Sequence, residues 1–266
     1  MNNRIDSKFQ ALQESRKTGF IAYITGGDPN LSATLDLALA LEKAGVDVLE
    51  LGVPFSDPLA DGATIQAAAG RALASGTTVP SLLETVRKIR EQSEIPLVLF
   101  TYLNPVYTYG FDRFHADSAA AGVDGLLILD LPPDETALNA ELSSAHGLKV
   151  IRLIAPTTPP PRIERIAKSA DGFIYYVSRE GVTGEQASLS ASIAEQVAEI
   201  RRHTTLPIAV GFGISTPEQA AQVAETADAV VVGSAIVRRI AENADATDLA
   251  ERIAAFVRPL AAAARG

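Results

Sequence analysis

The chain of 266 residues has no cysteine. Disulfides, thiolate metal sites and a cysteine nucleophile are therefore excluded. Positive charge is scarce: 23 basic residues face 32 acidic ones, a formal net charge of −9. Without a basic surplus to displace counterions, neither nucleic-acid binding nor attachment to an anionic membrane surface is expected. No apolar run approaches the ~18 residues of a membrane span. The polar Met1–Gly19 segment lacks the apolar stretch of a signal peptide, so a soluble cytoplasmic protein is expected. The three histidines, His115, His146 and His203, are far apart and show no metal-ligand spacing. There is no nucleophile elbow and no P-loop. Gly211-Phe212-Gly213 lacks the third glycine and the acidic partner of a dinucleotide motif, so no nicotinamide cofactor is expected. A small anionic ligand stays open, because backbone N–H groups can hold a phosphate without lysine.

What is present is periodic. Eight short apolar runs, rich in Val, Ile, Leu and aromatics, recur along the chain: Phe20–Thr25, Val46–Val53, Leu97–Tyr102, Gly125–Leu131, Val150–Ala155, Phe173–Val177, Ile208–Gly211 and Ala229–Gly233. Their lack of strict alternation suits strands covered on both faces. Between them lie helical stripes, such as Ile193, Val197 and Ile200, and Leu249, Ile253, Phe256, Val257 and Leu260. Ile5, Phe9 and Leu12 mark a helix before the first strand, and Pro159-Pro160-Pro161 a helix start. The junctions repeat too: Ala44-Gly45-Val46-Asp47, Ala121-Gly122-Val123-Asp124, Ala170-Asp171-Gly172 and Ala227-Asp228 read as helix stop, turn, then strand. The pattern predicts an α/β fold: one (β/α)8 TIM-barrel domain over residues 1–266, with an added N-terminal helix and extra helices in the βα loops. A doubly wound sheet shares the alternation and is the alternative.

In a barrel, chemistry belongs at the C-terminal ends of the strands. In Val48–Val53, alternation sends Leu49, Leu51 and Val53 outward and Val48, Glu50 and Gly52 inward. An inward carboxylate among apolar neighbours reads either as an ion-paired structural group or as a functional acid with a raised pKa. The loop Pro54–Gly62 adds Asp57, which is also a plausible turn residue, and Asp61, which also suits an N-cap. Glu50 with one of them would make an acid/base pair. Gly211–Ser215 and Gly233–Ala235 end the last two strands, where barrels often hold phosphate. Ser178–Glu185 reads as a lid or an ordinary loop before a helix beginning near Ser190.

The segment Leu51-Gly52-Val53-Pro54-Phe55-Ser56-Asp57-Pro58-Leu59-Ala60-Asp61-Gly62-Ala63-Thr64-Ile65-Gln66 resembles the signature of tryptophan synthase α subunits, with Ala63 where proline is common. Thr25-Gly26-Gly27-Asp28-Pro29, Tyr102-Leu103-Asn104-Pro105, Asp130-Leu131-Pro132, Ser178–Gly184 and Gly211-Phe212-Gly213-Ile214 extend the resemblance in order along the chain. It implies retro-aldol cleavage of indole-3-glycerol phosphate to indole and glyceraldehyde 3-phosphate, with no cofactor in this chain. By the same resemblance Glu50 moves protons at indole C3 and the glycerol hydroxyl, while Asp61 accepts the indole N–H. Tyr23, Phe100, Leu127, Leu129 and Phe212 would form the indole pocket, and Tyr175 would stand near the glycerol phosphate. Gly184, Gly213, Gly233 and Ser234 would bind phosphate, and Thr183 would close over the site and order Asp61. A pyridoxal-phosphate β subunit, in an αββα complex, would dock around Pro54, Asp57, Asn104, Pro132 and Gly181 and receive indole through a tunnel. Another phosphate-binding barrel, such as a sugar-phosphate isomerase, a non-catalytic phosphate-sensing subunit and a stand-alone indole-3-glycerol-phosphate lyase are the rival readings.

Overall fold

A computed structural model describes residues 3–132, 135–178, 186–211 and 213–266, with backbone alone for 186–191. In chain order the elements are α1 (Arg4–Glu14), β1 (Gly19–Thr25), α2 (Leu31–Ala44), β2 (Val48–Gly52), α3 (Ala63–Ala74), α4 (Val79–Arg90), β3 (Leu97–Thr101), α5 (Leu103–Tyr109), α6 (Phe111–Ala121), β4 (Gly125–Ile128), α7 (Thr136–Ala145), β5 (Lys149–Val150), β6 (Arg152–Ile154), α8 (Pro160–Lys168), β7 (Ile174–Val177), α9 (Gln186–Arg201), β8 (Ile208–Gly211), α10 (Pro217–Ala224), β9 (Ala229–Val232), α11 (Ser234–Glu242) and α12 (Leu249–Arg265).

Every strand pairs in parallel, in the order β5-β4-β3-β2-β1-β9-β8-β7-β6. β5 and β6 are two halves of one strand interrupted at Ile151, whose N–H still donates to the Leu126 carbonyl at 2.9 Å. The nine segments therefore make eight staves, and the sheet is a closed (β/α)8 barrel with α1 added before it. The doubly wound alternative is excluded by this closure. Each of the eight apolar runs contributes one stave. The helix after the sixth begins at Gln186, four residues before the expected Ser190, because sequence pattern locates helix ends poorly.

Alternation divides the apolar side chains into two sets. Leu49, Leu51, Leu97, Leu99, Ile174 and Val230 face outward into the layer of helices. Ile21, Val48, Val98, Leu127, Ile151, Phe173, Ala209 and Val231 fill the barrel. Ile5, Phe9 and Leu12 of α1 join the interior set, with the Phe9 and Phe173 rings 5.6 Å apart. The leading helix thus plugs the N-terminal end of the barrel, leaving the C-terminal rim for a ligand.

Three of the four junction aspartates prove to be staples, whereas Asp171 accepts from its neighbour Gly172 and from Lys149 instead. Asp47 Oδ2 accepts from Phe20 N–H at 2.9 Å, Asp124 Oδ2 from Leu97 N–H at 2.8 Å, and Asp228 Oδ2 from Ile208 N–H at 2.8 Å. In each case the aspartate N–H donates back to the carbonyl of that same residue on the neighbouring stave. Charge-assisted bonds of this kind fix strand stagger at the base of the barrel. Asp124 also receives Arg90 Nη2 at 2.7 Å and Arg4 Nη1 at 3.0 Å. Asp124→Ala would strand the enclosed Arg90 guanidinium, so a loss of about 3 kcal/mol or more is expected in urea unfolding. Among the described residues, no helix is long and apolar enough to cross a membrane.

Candidate active site

Glu50 sits on β2 facing into the barrel, as alternation requires, beside Tyr23 of β1 and Val98 of β3 in the strand register. It is completely buried. Neither carboxylate oxygen has a hydrogen-bond partner among the described residues. Among the described residues no cation offsets the loss of hydration, so burial pushes its pKa up to about 8. Among the described residues nothing supports the ion-paired reading, and the burial of Glu50 favours its protonated form.

Asp61 lies above it in the loop that follows β2. Gly62, not Asp61, occupies the N-cap position of α3, so the aspartate side chain is free for another task. Burial raises its pKa, and a hydrogen bond with the Tyr102 hydroxyl partly counters the rise. The loop is fastened at both ends. The Ala60 N–H donates to Tyr102 Oη at 3.0 Å, and the Phe55 and Tyr102 rings lie 5.5 Å apart. In the last turn of α3, Arg71 forks onto Asp28 with two bonds of 2.8 Å, tying the helix that follows the loop to the turn after β1. Tyr102 ends the third stave and was assigned no role from sequence. Its position one residue beyond β3 was the available signal; the tether to Asp61 needed the fold.

Tyr23 and Phe100 meet edge to face, with centroids 5.4 Å apart, and Ile65 packs beside them. Phe100 also packs against the barrel-filling cluster, which contains Leu127 and which Leu129 and Tyr175 border. The Tyr23 hydroxyl feels the charge of both Asp61 and Glu50, which, with burial foremost, raises its pKa. Tyr175 is raised as well, by burial and then by Glu50 and Tyr23. The two acids predicted from sequence therefore converge on one aromatic-walled chamber.

Two strand glycines make room for the tyrosines. A Cβ at Gly52 would sit 2.1 Å from Tyr23 Oη, and one at Gly211 would sit 2.6 Å from Tyr175 Oη. Gly52→Ala is expected to displace the Tyr23 ring and cut turnover at least tenfold while the barrel still folds; steady-state kinetics and circular dichroism would check this together.

On the rim beside Tyr23, where β9 pairs with β1, Gly233 is the N-cap of α11 with no side-chain cap, and Ser234 is the helix's first residue. Gly213 has φ +48°, a left-handed conformation that favours glycine, and a Cβ there would meet nothing within 4 Å. The rim thus offers backbone N–H groups at the positive end of a helix, suited to an anion. Asp57, Asn104 and Pro132 are exposed, whereas Pro54 is buried. Gly181, Thr183, Gly184 and Phe212 lie outside the described residues. Among the described residues, no group of three or more His, Asp or Glu could hold a metal ion. His115, fully buried, bonds to Phe111 O and Asn139 Oδ1 between α6 and α7, away from this chamber.

Residues 9–265 match the family model described as tryptophan synthase alpha chain. The chain belongs to the tryptophan synthase alpha chain family. It is similar to the alpha chain of Opitutus terrae, at 54% identity over 241 residues and 91% of each chain. It is also similar to that of Geobacter sulfurreducens, at 50% identity over 258 residues and 97% of each chain. Among solved structures, the alpha chain of Legionella pneumophila superposes with a TM-score of 0.90 at 41% identity, covering 99% of this chain and 98% of that one. A chain of tryptophan synthase from M. tuberculosis gives 0.89 at 34% identity, covering 100% of each. This alpha chain is a lyase that cleaves indole-3-glycerol phosphate, and its partner is a beta subunit.

Proposed function

We propose that Glu50 and Asp61 carry the retro-aldol cleavage of indole-3-glycerol phosphate to indole and D-glyceraldehyde 3-phosphate. The observation that carries this assignment is the buried, unpartnered Glu50 carboxyl at the barrel's functional end. The carbon–carbon bond breaks only if the indole ring can take up its electron pair. Protonation at C3 turns the ring into such a sink. An acid that keeps its proton at pH 7 supplies that proton, and the resulting carboxylate takes the proton from the glycerol hydroxyl. The second carboxylate, Asp61, accepts the indole N–H and stabilises positive charge growing on the ring. Tyr23, Phe100, Leu127, Leu129 and Phe212 wall the indole, with Tyr175 beside the glycerol phosphate. The phosphate rests on N–H groups of Gly184, Gly213, Gly233 and Ser234, and Thr183 closes the site over Asp61.

The chain itself needs no cofactor or metal for this chemistry; pyridoxal phosphate belongs to the beta subunit. We assign the pair an αββα arrangement in the cytoplasm, with Asp57, Asn104, Pro132 and Gly181 at the interface and the buried Pro54 beneath it, stiffening the loop. Exposed apolar side chains support that surface: Leu59 is 90% exposed in the Asp61 loop, and Tyr107 is 76% exposed on α5 next to Asn104. Docking there bears on the loop that carries Asp61, so the partner would order the acid. Mixing the purified chain with indole-3-glycerol phosphate should release indole slowly alone and much faster with the beta subunit. Equal rates with and without it would contradict the coupling, and no indole under either condition would contradict the assignment.

A further inference from the structure

Glu50 poses a problem for its own proposed task. A carboxyl that gives its proton to C3 becomes a charge in a chamber where neither oxygen has a partner among the described residues. Something must receive that charge if the group is to stay in place as a base. The groups facing it from each packed element are few. β3 and β4 offer Val98 and Leu127, and α1 offers Ile5, Phe9 and Leu12, all apolar. The Asp61 loop offers a second acid. β7 offers Tyr175, and β1 offers Tyr23.

Tyr23 is the better placed tyrosine. It is the direct register partner of Glu50, so the two side chains leave neighbouring parallel staves at the same level, about 4.8 Å apart. Its hydroxyl lies over Gly52, the next inward position above Glu50 on β2, in space that only glycine leaves open. Among the described residues the hydroxyl's one hydrogen-bonding contact is Thr25 Oγ1 at 3.5 Å, too long to hold it. Tyr175 instead comes from the stave beside Gly211, on the other side of the chamber.

We propose that Tyr23 is a positioning residue for Glu50, donating its hydroxyl hydrogen bond to the carboxylate as it forms and holding it for the second proton transfer. The donor is present whether or not the ring is bound, because it is built from β1 and Gly52. This inference rests on the assignment of Glu50 as acid and base.

The test compares wild type, Tyr23→Phe, Tyr175→Phe and Glu50→Gln with indole-3-glycerol phosphate across pH 6 to 10. Removing a donor from the ionised form makes ionisation harder. Tyr23→Phe should therefore lower kcat about tenfold with KM nearly unchanged, and move the alkaline limb of kcat/KM upward by about half a pH unit or more. An infrared titration of the Glu50 carboxyl, read as the difference from Glu50→Gln, should show the same upward displacement without any substrate. An unmoved limb and titration in Tyr23→Phe would overturn the proposal, as would a displacement seen only in Tyr175→Phe. A raised KM at constant kcat would reduce Tyr23 to wall packing and overturn it equally. Full activity of Glu50→Gln would instead remove the assignment of Glu50 on which the inference stands.

Discussion

Replacing Glu50 with glutamine should abolish most indole release and, at alkaline pH, make the chain more stable. The kinetic part follows from the proposed double role. Glutamine keeps the size of the side chain but can neither give nor take the proton. General acid–base catalysis by one group is worth about 100- to 10,000-fold, and a group used twice should fall at the upper end. Binding of glycerol phosphate should survive, because the amide cradle is untouched. The stability part follows from linkage. The folded pKa of about 8 lies above the ordinary value of 4.5, so the folded state holds the Glu50 proton more tightly than the unfolded chain does. Stability is therefore lost as pH rises through this window, beginning near the unfolded value and complete above the folded one. The full cost is about 3–5 kcal/mol at roughly 1.4 kcal/mol per pH unit. Glu50→Gln removes that slope. In urea unfolding the variant should gain on wild type from pH 5 to pH 9. A difference that stays constant with pH would mean that Glu50 is ionised and partnered in the folded chain.

Asp61→Asn should produce the second largest effect, about 100- to 1,000-fold in kcat, the scale seen when one preorganised group opposite developing charge is removed. Asparagine keeps an acceptor for the indole N–H but loses the negative charge, so KM should change much less than kcat. The pH profile separates this acid from the first. Asp61 has to be ionised and Glu50 protonated, so kcat/KM in wild type should be bell-shaped. The acid limb should lie above the ordinary aspartate range, because burial raises Asp61. The alkaline limb should lie near 8, because burial raises Glu50 further. Asp61→Asn should lose the acid limb and keep the alkaline one. Tyr102→Phe, which cuts the loop's tether but leaves the carboxyl, should give a milder version of the same loss with the acid limb moved upward, since the Tyr102 hydrogen bond holds Asp61's pKa down.

The barrel was legible because apolar runs and helical stripes alternate with regular spacing, and each run supplied one stave. Glu50's inward direction was legible from the alternation of Leu49, Leu51 and Val53 around it, since a one-residue slip would turn all three bulky apolar side chains away from the helices. Asp61 could not be told from an N-cap by spacing alone; that needed Gly62 to be seen in the capping position. The tether from Tyr102 to the Asp61 loop and the glycine sockets under Tyr23 and Tyr175 were invisible for a physical reason. Each joins residues from different staves, and only barrel closure and register bring them together. The interruption at Ile151 likewise leaves no mark of its own, since Ile151 is apolar like most of its run and the one charged residue there is Arg152. The junction aspartates were visible as a repeat, but the role of three of them as staples between staves came from the hydrogen bonds.

The account turns on one proton. Carbon-13 NMR of the chain labelled at its glutamate carboxyls, with Glu50→Gln to assign the resonance, reads that proton directly. A Glu50 carboxyl that titrates near pH 8 is the predicted result; a carboxyl already ionised at pH 6 would contradict the mechanism, because no acid would then stand ready to protonate the ring.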